Sequence, residues 1–305
     1  MNAPSVRFST GKWVNGLAEW TAGDTAFLSV AFTWKLDDAY QRAIFYRALG
    51  FKVRAGGPGI FTRKHYLADV AEIGLRPGEQ VPEAIVHHNP MATFASRGCP
   101  VGCWFCIVPK LEGRDFTEIP DFPVRPVLCD NNLSGLSAAY QQHIVDRYLA
   151  TGTPLLDANS GFEPASFDDE VFRRWAPILK GPWRFGFDEK TEGDAVARAF
   201  RVLKDVAPRR KQVYTMIGHE PFDVCMDRIR RVIDSGGEPY AQPFIKLNAL
   251  SKEAAIRHDW SPYLLRRVQR WVNWRVWKSA PFESYRPSFK TVEANVGGHQ
   301  ERLFG

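Results

Sequence analysis

Three of the chain's five cysteines fall within eight residues, in Cys99-Pro100-Val101-Gly102-Cys103-Trp104-Phe105-Cys106. Cysteine thiolates are the usual ligands of iron–sulfur clusters, and three on one tight loop can wrap one face of a four-iron cube. One iron is then left open, and a small molecule bound there makes the site reactive. Pro100 and Gly102 favour a loop over a helix, as the wrapping requires. A structural zinc ion is a second reading, but it normally takes four ligands, often in two separated pairs. No second Cys/His pair with that spacing is present, and Cys129 and Cys225 each stand alone. A cluster that only carries electrons is a third reading. An odd cysteine count, clustered in this way, does not describe a secreted disulfide framework.

The stretch SRGCPVGCWFCIVPKLEG (96–113) resembles the radical S-adenosylmethionine superfamily, whose signature is three cysteines at this spacing with an aromatic residue before the last. Phe105 occupies that aromatic position. Arg-Gly-Cys-Pro followed by Cys-Ile-Val-Pro is similar to the methylthiotransferases and the cobalamin-binding radical enzymes. The resemblance covers about residues 90–285. It implies one [4Fe-4S] cluster on Cys99, Cys103 and Cys106, with S-adenosyl-L-methionine bound to the open iron through its amino and carboxylate groups. It also implies reductive cleavage to methionine and a 5′-deoxyadenosyl radical, with electrons from an external donor such as flavodoxin or ferredoxin. Two departures narrow the branch. No cysteine precedes Cys99, whereas the methylthiotransferases carry three more for a second cluster. The cobalt-ligating Asp-x-His-x-x-Gly pattern is also absent, and the first histidine, His65, lies in an unrelated context.

The other candidate site residues follow strand-like segments. The segment 125–130 runs into Cys129-Asp130-Asn131-Asn132, where relatives often place Gly-Gly-Glu to hold the cofactor's amino group. Asn131, with Asp130 and Asn132, is the implied replacement, and a helix-capping turn is the alternative. The segment 153–158 ends in polar residues that suit ligand contact, with Asn159 foremost. The segment 183–188 ends in Asp188-Glu189-Lys190, and the resemblance gives Asp188 the ribose hydroxyls; a salt-bridged turn is the alternative. After 212–217, Gly218 is similar to the family's adenine-side glycine, which lets backbone approach the purine. His219 reads as a proton carrier or a hydrogen-bonded structural histidine. Cys129 reads as a hydrogen-atom donor or acceptor, or as a small buried hydrophobe, and Cys225 as packing.

The elements that must position these residues give an α/β fold. An apolar strand at 25–32, a helix at 37–50 capped by Asp37 or Asp38, and a strand at 51–55 make a small α/β unit. Tyr40, Ile44 and Ala48, widened by Ala43, mark the helix's apolar face. Gly56-Gly57-Pro58-Gly59 reads as a plain loop. This unit is expected to be a degenerate Rossmann-like domain over 1–88 that holds no cobalt. Strands at 91–96, 125–130, 153–158, 183–188, 212–217 and 239–244 then alternate with helices at 137–152, 166–181, 192–206 and 221–236. Ser166 and Asp169 stand in capping-box spacing. A thirty-residue strand–helix repeat calls for parallel strands with right-handed crossovers. Six such units make a partial (β/α)6 TIM-like barrel, the expectation over 89–262, or an open doubly wound sheet, and in either case ligands sit at the carboxyl ends of the strands. A helix and basic aromatic tail follow over 263–305, where Trp271, Trp274 and Trp277 pack on the barrel or stack on bases.

Of 305 residues, 45% are hydrophobic and 24% charged, ordinary for a soluble globular chain. No apolar run approaches the roughly 18 residues of a membrane span, and residues 1–13 lack a signal-peptide core. The chain is read as cytoplasmic, with no membrane partner. The net charge is +6, and residues 266–305, with eight Lys/Arg against three Asp/Glu, carry +5 of it. The substrate is a small molecule or RNA. The alternative function is a nucleic-acid-binding protein with a structural metal or cluster.

Overall fold

Residues 8–74 and 84–287 are described by a computed structural model; the end of the basic tail, 288–305, lies outside them. The chain enters through a hairpin, β1 (Leu17–Ala22) antiparallel to β2 (Thr25–Val30). α1 (Leu36–Ala48) crosses over to β3 (Lys52–Gly56), parallel to β2. After the one-turn α2 (Pro58–Phe61), β4 (Glu72–Ile73) completes the sheet order β1-β2-β3-β4. Three details depart from the sequence reading. α1 buries Leu36, Ala39 and Ala43, and leaves Ile44 exposed, because small alanines let the helix sit closer to the sheet on a face one residue away. Its N-cap is Lys35 without a side-chain cap, and Asp37 and Asp38 sit in the first turn, favourably placed against the helix dipole. The glycine loop also runs directly into a helical turn, started by Pro58.

The second half begins with α3 (Ala84–His88), β5 (Ala92–Thr93) and β6 (Ser96–Arg97). The cysteine stretch and α4 (Val108–Leu111) form an excursion that returns as β7 (Thr117–Glu118), antiparallel to β6. Then come β8 (Val127–Leu128), α5 (Ala138–Thr151), β9 (Asp157–Ala158) and α6 (Asp169–Trp175). The chain continues through β10 (Trp183–Gly186), α7 (Gly193–Val202), β11 (Lys211–Ile217), α8 (Phe222–Asp234) and β12 (Glu238–Pro243). α9 (Pro262–Asn273) is the last long helix described.

Two parallel three-stranded sheets result, β5-β8-β9 and β10-β11-β12. Parallel bridges Leu155↔Leu179 and Phe162↔Phe185 connect their neighbouring segments. The fold is α/β with several small sheets and, among the described residues, no closed barrel. Every expected strand of this half is present, but the first three shrink to two residues each. α6 starts later than the sequence suggests: the Asp168 carboxylate, not Ser166, accepts from the Val171 N–H at 2.8 Å. It stops at Trp175: Ala176 is still helical, at φ −56 and ψ −36, but Pro177 has no N–H to continue the ladder.

The main core lies between the strands and helices of this half. Trp183, Phe185 and Phe187 of β10 and its end point the same way, toward Phe162, Phe167 and Trp175. At the far end α9 buries Val268, Trp271 and Val272 against Ile217, Met226 and Ala241. Trp271 is therefore a packing residue, while Trp274 remains 39% exposed. No described helix is long and apolar enough to cross a membrane.

Candidate functional site

The cysteine excursion is shaped by buried polar contacts. Gly98 has φ +85, and a side chain there would meet the Asp115 carbonyl oxygen, so only glycine lets the loop turn so sharply. The Glu112 carboxylate is the latch. It pairs with the Arg97 guanidinium and accepts from the Gly98 N–H at 3.0 Å and the Asn131 amide at 2.6 Å. Arg97 in turn lies 3.8 Å over the Phe94 ring. Behind the loop, buried Asp130 accepts from the Ala95 N–H at 2.9 Å and from the Ser96 hydroxyl. Burial pushes its carboxyl up to about 6, against the opposing pull of those hydrogen bonds.

Cys99, Cys103 and Cys106 are partly buried free thiols. The Cys106 N–H donates to the Cys103 carbonyl at 3.1 Å, which closes a tight turn between the last two. Burial, then the neighbouring Cys106, pushes the Cys103 thiol up to about 12, and burial and Cys99 raise Cys106. Cys103 and Cys106 thus feel their neighbouring thiols, and these two stay protonated unless a cation offsets the charge. Two donors approach them: the Val108 N–H lies 3.4 Å from the Cys106 sulfur, and the Asn132 amide 3.9 Å from that of Cys99. Among the described residues no three His, Cys, Asp or Glu side chains converge on one metal position. A cube takes one thiolate per iron, so its ligands need not converge. Three thiols on one loop, with N–H groups near two of the sulfurs, are the donor types such a cluster takes.

A cleft of about 840 Å³ opens between this loop, the carboxyl ends of β10, β11 and β12, and the first sheet. It brings together two of the five expected cofactor residues, Phe105 and Asp188. Asp188 accepts from the Met216 N–H at 2.8 Å, and burial, then nearby Glu192, pushes its carboxyl up to about 7. The other three are elsewhere. Asn131 is committed to Glu112 and to the Gly98 carbonyl, at 3.4 Å, so it braces the loop. Asn159 is held by its backbone N–H to Leu128, at 2.9 Å, and does not line the cleft. Gly218 does adopt a left-handed φ of +95, but it is buried against Leu265, with its carbonyl taken by the Arg257 N–H at 2.9 Å.

Around the loop, the Trp104 indole N–H donates to Glu189 at 2.6 Å, and its ring packs on Phe244, centroids 5.1 Å apart, and His219, 5.6 Å apart. Burial lowers the His219 pKa, and its Nδ1 has no partner among the described residues. Cys129 is buried with Ala92 and Val127 as a small hydrophobe, and Cys225 is packed into α8. The sequence reading missed Glu112 and Arg97, and also Gln242 and Lys246 in the cleft wall. Gln242 was findable, since it lies at the end of a parallel strand where ligands gather. No protein-family model matches the chain, and no similar curated protein was found.

Proposed function

We propose that this chain is a radical S-adenosylmethionine enzyme. Cys99, Cys103 and Cys106 would hold one [4Fe-4S] cluster, and the cleft between Phe105 and Asp188 would take S-adenosylmethionine. The carrying observation is a loop of three free thiols that follows β6, just past the first strand of one parallel sheet, and that puts Phe105 and Ile107 on a cleft at the ends of the other sheet's strands. The two sheets, bridged at Phe162↔Phe185, support a partial six-strand barrel as the finer description. When bound, the reduced cluster and its cofactor supply a 5′-deoxyadenosyl radical, with electrons from an external carrier such as flavodoxin or ferredoxin.

The chain's residues hold the site in place. The Glu112–Arg97–Asn131 contacts fix the loop, and the Val108 and Asn132 donors temper charge on the sulfurs. Asp188, anchored by Met216, presents its second carboxylate oxygen for paired hydroxyls. Trp104, Phe244 and His219 pack together beside the loop. Gel-filtered protein reconstituted anaerobically with iron and sulfide tests the ligands. Alanine at any one of the three cysteines should abolish the visible thiolate-to-iron absorbance, and Cys225→Ala should keep it; a triple alanine variant that retains its cluster ends the proposal. Asp188→Ala should keep the cluster yet weaken S-adenosylmethionine about ten- to a hundredfold, the loss of a charged hydrogen bond. Because ligand hydroxyls favour the ionised carboxylate, wild-type affinity should rise with pH through about 7.

A further inference from the structure

The cleft is larger than the cofactor reading uses, and its far wall has its own character. At about 840 Å³ it sits near the top of the roughly 300–1,000 Å³ usual for small-molecule sites. Phe105 and Asp188 line it, and so do Phe32 and Trp34, which follow the second strand of the first sheet. Those two rings stack, with centroids 4.6 Å apart and planes 7° apart. The Trp34 indole N–H is buried with no acceptor among the described residues. Lys12, Lys246 and Lys252 also line the cleft, from three separate segments. None of the three has an acidic partner among the described residues. Asp188 is the one acidic lining side chain described. The wall is fixed in place: the Thr33 hydroxyl donates to the Ala249 carbonyl, and the Arg63 guanidinium to that of Asn248 at 2.8 Å.

A rigid aromatic face beside unpaired cations suits one ligand chemistry, a flat apolar body carrying negative charge. We propose that the substrate end of this cleft binds a small anionic molecule with an aromatic or other planar body. The assignment rests on the reading that S-adenosylmethionine takes the Asp188 end. A polynucleotide would also satisfy lysines, but a walled cleft between two layers favours a compact ligand over an extended strand.

The test uses the full-length protein with two fluorescent probes of nearly equal shape, 1-anilinonaphthalene-8-sulfonate and its uncharged counterpart N-phenyl-1-naphthylamine. The sulfonate should bind once per chain, more weakly as salt rises. A Lys12→Ala, Lys246→Ala, Lys252→Ala triple variant should weaken it at least about tenfold in total, as expected for three solvent-screened ion contacts. The uncharged probe should shift less than about twofold by the same reasoning. S-adenosylhomocysteine should bind alongside the sulfonate. Equal losses for both probes, no loss for the sulfonate, or displacement by S-adenosylhomocysteine would each overturn the proposal. So would displacement by a short single-stranded RNA at concentrations where pyrophosphate has no effect, which would assign the lysines to nucleic acid. Because neither probe needs a cluster, probe binding and 5′-deoxyadenosine release fail independently: the first failure removes only the substrate class, the second only the radical chemistry.

Discussion

The two parallel sheets share a sequential strand order and differ in what holds them. β10, β11 and β12 run for four, seven and six residues, and their ladders lie over an aromatic core. β5, β8 and β9 have two residues each, so the ladder contributes little. Side chains take its place. The Tyr140 hydroxyl donates to the Ala95 carbonyl at 2.6 Å and accepts from the Ile119 N–H at 2.9 Å. The Tyr148 hydroxyl donates to the Arg125 carbonyl at 2.7 Å. Asp130 closes the same region from the inside. A long ladder carries a chain straight on; short strands tied by side chains let it turn off early. The cysteine loop needs that early turn; both halves share the apolar core, but its sheet leans in addition on buried polar ties, one of which, Asp130, titrates near 6.

If that contrast is right, the halves answer differently to mutation and pH. Phe185→Ala should cost most, about 3–5 kcal/mol by urea unfolding, because it opens a cavity in a packed core. That loss should not vary between pH 4 and 7. Asp130 should impose a pH dependence of its own. Its carboxyl titrates near 6 in the folded chain, above the unfolded value of 3.8, so the folded state keeps a proton that the unfolded state releases. Its contribution to stability is then greatest below about pH 4, falls as pH rises to 6 and is flat beyond. The change is about 3 kcal/mol. Wild type compared with Asp130→Asn should show it, and parallel stability profiles would remove the polar half of the contrast. Tyr140→Phe should be the mildest, about 1–3 kcal/mol, since it strands the Ile119 N–H. A Tyr140→Phe loss below about 0.5 kcal/mol would mean that the short strands stand without their side-chain ties.

The strand–helix alternation was legible because each segment carries its own signal: apolar runs for strands, and helical spacing closed by glycine, as at Gly152, which is left-handed at the end of α5. That the cysteine stretch is a loop was legible from Pro100 and Gly102 between the cysteines. Contacts between distant residues were not. Nothing local marks Glu112 as the partner of Arg97 and Asn131, and an asparagine at a strand end reads the same whether it faces a ligand or a loop. Asn131 braces the loop for that reason, and Gly218 has the expected backbone but a buried surrounding. Lys12, Lys246 and Lys252 meet only when the first sheet is laid across the second half, a long-range packing that no local pattern encodes.

The central claim is that three thiols on this loop support cleavage of S-adenosylmethionine. Reconstituted protein, reduced anaerobically with dithionite in the presence of the cofactor, should release 5′-deoxyadenosine and methionine, and Cys103→Ala treated identically should release neither. A protein that carries a full cluster, binds S-adenosylmethionine and forms no 5′-deoxyadenosine would contradict it.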